Sequence, residues 1–416
     1  MMPKRRNYQI GVGGVHVTPL AKRYVNQVLD SGRLTYGPFL KRFEKEFARL
    51  HKRRFAVSMN SGTSALQVAV HAMKGRYGWK DGDEVLVPAL TFIATSNVVL
   101  QNNLRPIFVD VDPRTYHIDP IKIPGHITKR TRAIMPVHVF GVSCDMPPIL
   151  KIAKRHTLKV IEDSCEAAFV NHRGEPVGSQ GDIACFSTYQ AHLVTTGVGG
   201  FLTTNDPILA VKARSLANHG RDSIYMAMDD DRHKHGKALA EVIERRFSFV
   251  SVGYSYRLTE LEGALGLAEL ANWKKNLVKR QTNADYLLRE LAPFANYLQL
   301  PSWPAHSEHA FMMFPIVICN RRIKKSELTQ WLEEWNIETR DMLPLLNQPV
   351  YRKLFGNLEP KYPVAAWVRK NGFYIGCHPG LAEHDLEYVL NVFREFFQRK
   401  SLDHLGVDDS SHSIMR

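Results

Sequence analysis

From about residue 18 to residue 210, short apolar runs alternate with amphipathic stretches. Segments 55–58, 84–87, 107–109, 133–137, 158–161 and 183–186 are apolar on both faces, which predicts strands of a buried parallel sheet. Segments 63–73, 92–102 and 146–156 carry helical periodicity between them, the last with Pro147 and Pro148 in its first turn, where a missing N–H is harmless. Strand–helix alternation of this kind predicts a doubly wound α/β domain.

The pattern changes at 221–246, a polar and charged stretch that reads as a surface insertion, either a solvated loop or a lid. A long helical segment is expected over 259–290, then a strand over 310–319, a helix over 325–335 and a final helix over 383–397. The expected organisation is a large domain over 1–275, a smaller C-terminal α/β domain over 276–398, and a disordered polar tail over 399–416.

The chain has 416 residues, of which 44% are hydrophobic and 23% charged, as in ordinary globular proteins. Its net charge of +14 raises nucleic acid, membrane surfaces and anionic small ligands as partners. The basic residues fall in scattered pairs such as Arg53-Arg54 and Arg245-Arg246, without a long run or interleaved aromatics. That pattern speaks against nucleic acid and leaves a phosphate-bearing ligand or a generally basic surface. The five cysteines are far apart and show no metal-type spacing, so neither a metal site nor an iron–sulfur cluster is expected, and a reducing, cytoplasmic setting is. The longest apolar run, 311–319, is far short of the ~20 residues of a spanning helix, so no membrane association is expected.

Three segments carry chemistry. Asn60-Ser61-Gly62-Thr63-Ser64 stands between a strand and a helix. Its hydroxyls and its glycine serve either as a helix cap or as a cradle for an anion. Val160-Ile161-Glu162-Asp163-Ser164 is a strand ending in acids, where open α/β sheets bind ligands. Asp163 either caps a loop or holds the protonated nitrogen of a pyridine ring. The third segment is FSTYQAHLVTTGVGG at 186–200.

Together with SGRLTYGPFLKRFEKEFA (31–48), SGTSAL (61–66), VPALTFIATSN (87–97), VDVDPRTYHID (109–119), VHVFGVSCDM (137–146), IEDSCEA (161–167), NHGR (218–221), GYSYRLTELEGALGLAEL (253–270) and GCHPGL (376–381), these segments resemble the DegT/DnrJ/EryC1/StrS family of sugar aminotransferases, in the family's order and over nearly the whole chain. The resemblance implies a fold-type-I, aspartate-aminotransferase-like α/β fold and pyridoxal 5′-phosphate or pyridoxamine 5′-phosphate as cofactor. It implies a nucleotide-linked keto sugar and L-glutamate as substrates. It also implies a homodimer in which the segment around Ser255 reaches the neighbouring active site. Gly62, Thr63 and Ser187 match the family's phosphate-binding positions, Phe92 the aromatic stacked on the pyridine ring, and Asp163 the partner of the ring nitrogen. Glu166 stands where the aminotransferases commonly have Gln, and Ser255 where they have Asn. His138 matches a His-x-x-Gly segment and is expected to be structural.

One departure is chemical. The family's lysine, which tethers pyridoxal phosphate and shuttles its proton, is replaced by His192. No lysine lies between residues 183 and 204; the nearest are Lys159 and Lys212. Histidine cannot form the tether but moves protons near neutrality. The same replacement marks the family's sugar 3-dehydratases, which use untethered pyridoxamine phosphate. A further departure puts Val198 in place of a glutamate. Three readings stand open: a 4-keto-6-deoxy-sugar 3-dehydratase with His192 as base, a sugar aminotransferase with an atypical site, and a catalytically inactive binding or regulatory protein.

Overall fold

The computed structural model describes residues 4–223 and 231–406, the last six of these by backbone alone. Thirteen α-helices and thirteen strands are assigned among the described residues. In chain order the first half contains α1 (Pro19–Ser31), α2 (Pro38–Leu50), β1 (Phe55–Met59), α3 (Gly62–Tyr77), β2 (Glu84–Pro88), α4 (Ile93–Gln101), β3 (Arg105–Val109), β4 (Thr131–Ile134), α5 (Met146–Arg155) and β5 (Lys159–Asp163). It continues with the small hairpin β6 (Asn171–His172) and β7 (Glu175–Pro176), then β8 (Ile183–Ser187), β9 (Gly200–Thr204), α6 (Pro207–Ala217), α7 (Gly236–Arg245) and α8 (Glu260–Leu270).

Seven of these strands form one sheet in the order β1-β9-β8-β5-β4-β2-β3. Six run parallel, and β9 is antiparallel to both its neighbours. The sheet is thus mostly parallel, as expected, with one reversed strand that the hydrophobic pattern does not predict. The strands are buried on both faces, and Val57, Val85, Ile161 and Leu202 share one core with α3, α4 and α6. The carboxyl ends of β1, β2, β5 and β8 open on one edge, the ligand-binding edge of such sheets.

The helix expected over 259–290 is two helices. α8 starts on a capping box between Thr259 and Glu262, and α9 spans Trp273–Leu291. Between them the Asn272 amide turns back onto the Ala268 carbonyl at 3.4 Å, competing with the backbone ladder. The remaining elements are β10 (Leu298–Gln299), β11 (Phe314–Ile318), α10 (Lys325–Glu334), β12 (Arg340–Asp341), α11 (Pro349–Phe355), α12 (Pro363–Asn371), β13 (Gly372–Ile375) and α13 (Glu383–Gly406). Their strands form a second, antiparallel sheet, β10-β11-β13-β12. Phe314, Leu328, Phe373 and Phe393 lie in its separate core.

Three boundaries drawn from the sequence shift. Ile10 joins the core of the second half, because its N–H donates to the Asn336 carbonyl at 2.8 Å and its carbonyl accepts from Glu338 N–H at 2.9 Å. The division at residue 275 falls inside α9. The tail does not begin at Arg399: α13 runs on to Gly406, with Arg399 stacked over Trp331 and Lys400 paired with Glu327 at 3.0 Å. Residues 407–416 lie outside the described residues. Of the 221–246 stretch, 224–230 lie outside them too. The rest includes α7, which buries Val242 and ties Arg245 to Asp222 at 2.7 Å. No helix among the described residues is long and apolar enough to cross a membrane.

Candidate active site

Ser61 is the N-cap of α3. Its Oγ accepts from Ser64 N–H at 3.0 Å, so of the two roles the sequence left open for this segment Ser61 takes that of the cap. Thr63 is exposed, and its hydroxyl has no hydrogen-bond partner among the described residues. The N–H groups of Gly62 and Thr63, in the first turn, have no acceptor within the helix. Gly62 itself is wedged: a Cβ there would lie 2.8 Å from Ser187 Cβ and 2.9 Å from Cys165 Sγ. Gly200 is constrained in turn, since its Cβ would stand 2.5 Å from Gly62 N. A helix N-terminus with free N–H groups, Thr63 and Ser187 is therefore held in one place by close backbone packing, an arrangement suited to a phosphate.

Asp163 ends β5, buried. Its Oδ2 accepts from Thr95 Oγ1 at 2.8 Å and its Oδ1 from Cys165 N–H at 3.2 Å. Thr95 is in turn bonded to Thr91 at 2.9 Å. Burial raises the Asp163 carboxyl above its ordinary pKa, against the hydrogen bonds from Thr95 and Cys165 that lower it. A cation placed beside it would restore the charged form. Phe92 is the residue before α4 and leaves 58% of its surface exposed, an unusual position for a large apolar ring. Glu166 is buried, and its Oε2 accepts from Phe140 N–H at 2.8 Å. Burial pushes its carboxyl up to about 7, helped by the nearby Asp163 charge.

His138 is structural. Its Nδ1 accepts from Cys144 N–H at 2.9 Å, so the proton sits on Nε2 and is donated to Glu162 at 3.0 Å. Glu162 also accepts N–H groups of Gly178, Gln180 and Gly181. This fully buried network holds the strand next to Asp163, whose carbonyl accepts from His138 N–H at 2.9 Å.

His192 lies in the loop between β8 and β9. The loop is closed at its base by Thr188 N–H to Gly199 carbonyl and Thr196 N–H to Thr188 carbonyl, both 2.9 Å, and by the two threonine hydroxyls at 2.6 Å. His192 N–H donates to the Tyr189 carbonyl at 2.9 Å, forming a tight turn. The residue is half-buried, and its Nδ1 is enclosed with no hydrogen-bond partner. Burial pushes the imidazole down to about 4; Tyr189's carbonyl opposes this and the Arg280 charge adds to it. Neither neighbouring lysine is at this place. Lys159 opens β5 at the end opposite Asp163 and pairs with Asp182 at 3.0 Å. Lys212 is on α6 with its ammonium against Gly75 of α3.

The sequence profile of the DegT/DnrJ/EryC1/StrS aminotransferase family matches residues 17–394. The chain belongs to this family. It is 35% identical to a GDP-perosamine synthase of Caulobacter vibrioides over 385 residues, covering 92% of this chain and 96% of the relative. It is 32% identical to a dTDP-4-dehydro-2,6-dideoxy-D-glucose 3-dehydratase of Saccharopolyspora spinosa, over 89% of this chain and 82% of that one. Among solved structures it superposes on a GDP-4-keto-6-deoxy-D-mannose-3-dehydratase of E. coli with bound hydrated pyridoxal phosphate. The TM-score is 0.84 at 25% identity, with 93% of this chain and 100% of that one covered.

The residues fit the cofactor of this aminotransferase family. The Gly62 cradle, the enclosed Asp163 carboxylate and the exposed Phe92 ring offer an anion site, a partner for a ring nitrogen and a stacking face, at the carboxyl ends of β1, β5 and β2 on one edge of the sheet. Ser255 is not brought into this group. It is exposed, and its Oγ accepts from Arg257 at 3.0 Å. The neighbouring Tyr256 carbonyl, however, accepts from Asn60 N–H at 2.8 Å, so the 253–257 segment runs beside the phosphate loop of its own chain. The sequence reading missed Thr95 and Arg280. Thr95 lies in the first turn of α4, and its bond to Asp163 joins residues 68 apart, which no local signal marks.

Proposed function

We propose that the protein is a 3-dehydratase acting on a nucleotide-linked 4-keto-6-deoxy sugar, with pyridoxamine phosphate as the working cofactor and L-glutamate restoring its amine. The observation that carries this is the enclosed, unpartnered Nδ1 of His192, at the position that the sequence resemblance matches to the aminotransferases' lysine, with Lys159 and Lys212 both engaged elsewhere. Pyridoxamine phosphate supplies an amine for the keto carbon and a ring that takes up electrons. Gly62, Thr63 and Ser187 bind its phosphate, Phe92 stacks on its ring, and Asp163 keeps the ring nitrogen protonated. Glu166 stands beside them with one carboxylate oxygen committed to Phe140 N–H. His192, held neutral at pH 7 by burial with its pKa near 4, would accept a proton at the cofactor's 4′ carbon and pass it to the departing hydroxyl of sugar carbon 3, which would leave as water. We further propose a cytoplasmic homodimer in which Ser255 and its segment face the partner's site.

The relatives named as 3-dehydratases support this reading. An aminotransferase with an atypical site is the second reading, favoured by the 35% identity to a perosamine synthase. An inactive protein is disfavoured by the retention of Asp163, Ser187 and Phe92 together. The deciding experiment incubates the protein with pyridoxal phosphate, L-glutamate and a panel of nucleotide-linked 4-keto-6-deoxy sugars, then weighs the products. A product lighter by one oxygen with no nitrogen gained is expected. An aminated product would establish the second reading instead.

A further inference from the structure

Arg280 is a buried cation without a counter-ion. It projects from α9, is 4% exposed, and has no carboxylate within ion-pair distance among the described residues. Its guanidinium instead donates to three carbonyls: Met312 at 2.9 Å, Phe311 at 3.2 Å and His192 at 3.5 Å. A buried guanidinium without an anion is costly, and burial accordingly lowers its pKa, to about 10. Simple packing does not require such a group, since an apolar side chain fills the same space at less expense.

The three carbonyls come from separate parts of the chain. Residues 311–312 belong to the segment that crosses between the halves, where Ala310 N–H donates to the Gly141 carbonyl at 2.7 Å. His192 belongs to the loop between β8 and β9. A third segment closes the other side of that loop: a Cβ on Gly13 would lie 3.3 Å from Ala191 Cα, and Val12 N–H donates to Glu338 at 2.7 Å. The charged and titratable groups around His192 are few. Arg280 faces it from α9, and Tyr189 stands on its own loop with ring centroids 6.1 Å apart. The N-terminal segment meets the loop through glycine. On the turn after β13, Cys377 Sγ–H donates to the Arg280 backbone carbonyl at 3.5 Å.

We propose that Arg280 is a positioning residue that fixes the His192 turn to α9 and to the crossing segment and so sets its guanidinium charge beside that turn. This rests on the reading of His192 as the base for its catalytic consequence, but not for its geometry. The fork of the guanidinium reaches three carbonyls at once, which a lysine ammonium does not reproduce.

The test follows the His192 ring Cε1–H signal by NMR against pH in the cofactor-free protein, for the parent, Arg280→Met and Arg280→Lys, with His192→Asn assigning the signal. Removing the cation is expected to move the His192 titration upward in Arg280→Met, with burial still holding it below the ordinary imidazole value. Arg280→Lys, which keeps the charge, is expected to hold it near the parent value while lowering kcat about tenfold or more at little cost in KM. Thermal melting confirms that each variant is folded; if Arg280→Met is not, Arg280→Gln takes its place. An unmoved His192 titration in a folded charge-free variant, or an Arg280→Lys enzyme with the parent's kcat, would overturn the proposal. A shifted titration in a protein that makes no dehydrated sugar would leave Arg280's role standing and remove the dehydratase reading instead.

Discussion

Gly62 and Ser187 are in contact so close that no side chain fits between them: a Cβ at position 62 would stand 2.8 Å from the Ser187 Cβ. The contact brings the first turn of α3 against the end of β8 and so joins the two halves of the proposed phosphate cradle. Gly62→Ala is expected to separate them. Overpacking of this kind costs about 1–3 kcal/mol, a loss of several degrees in melting temperature. Pyridoxamine-phosphate affinity is expected to fall by about tenfold or more, because the new methyl enters the anion site itself. Calorimetric titration reads the affinity. An unchanged affinity would mean that the phosphate binds elsewhere.

Asp163 is enclosed with both oxygens already accepting hydrogen bonds from Thr95 and Cys165. Asp163→Asn keeps the shape and one acceptor but removes the charge that would hold a protonated ring nitrogen. The fold is expected to persist, with an unchanged circular-dichroism spectrum, while turnover drops by about a hundredfold. Parent-like turnover would argue against the ring-nitrogen role.

What the sequence disclosed follows the physics of each feature. The buried strands were legible because they are apolar on both faces, and Asp163 because a strand ending in acids is unusual. Strand β9 was not legible: Gly200-Phe201-Leu202-Thr203-Thr204 follows a glycine-rich turn and shows no clear alternation. Its pairing with β1 and β8 is settled by the sheet around it. The break at Ala271-Asn272 contains neither proline nor glycine and is marked only by i→i+3 turn bonds and the Asn272 side-chain amide. Ile10 pairs with Ile337, a relationship that local periodicity does not encode. Arg280 was missed for the same reason, since its three acceptors come from distant segments. The chemistry of His192 was read from residue type and position, but its enclosed Nδ1 and the displacement of Lys159 and Lys212 are facts of folding.

Glu166 gives the cofactor-free protein a predictable pH dependence. Its folded pKa, about 7, lies above the ordinary 4.5. Between those values the folded chain binds more protons than the unfolded chain, so Glu166's contribution is complete below about pH 4.5 and is lost as pH rises through 7. Glu166→Gln keeps an acceptor for Phe140 N–H and removes the titration. Relative to the parent it is expected to gain on the order of 1–3 kcal/mol between pH 5 and pH 8. Urea unfolding at the two pH values checks this. A constant difference between variant and parent would show that Glu166 is already ionised in the fold.

The base itself can be separated from the cofactor site by two substitutions at one position. His192→Asn keeps a polar side chain of similar reach but cannot accept a proton near neutrality. Because Gly62, Thr63, Phe92 and Asp163 lie on other strand ends and Ser187 is fixed within β8 before the loop begins, pyridoxamine-phosphate affinity is expected to stay within about threefold of the parent. Formation of the dehydrated sugar is expected to fall by about 10²–10⁴-fold, the usual contribution of a general base. His192→Lys supplies the tether that the aminotransferases possess, into a loop already closed by Thr188, Thr196 and Gly199. Adding pyridoxal phosphate to that variant is expected to produce a new visible absorption band that borohydride removes. Dehydration surviving in His192→Asn would dismiss His192 as the base. A missing band in a folded His192→Lys protein would mean that position 192 does not face the cofactor's 4′ carbon, and the assignment of this loop to the reaction would fail with it.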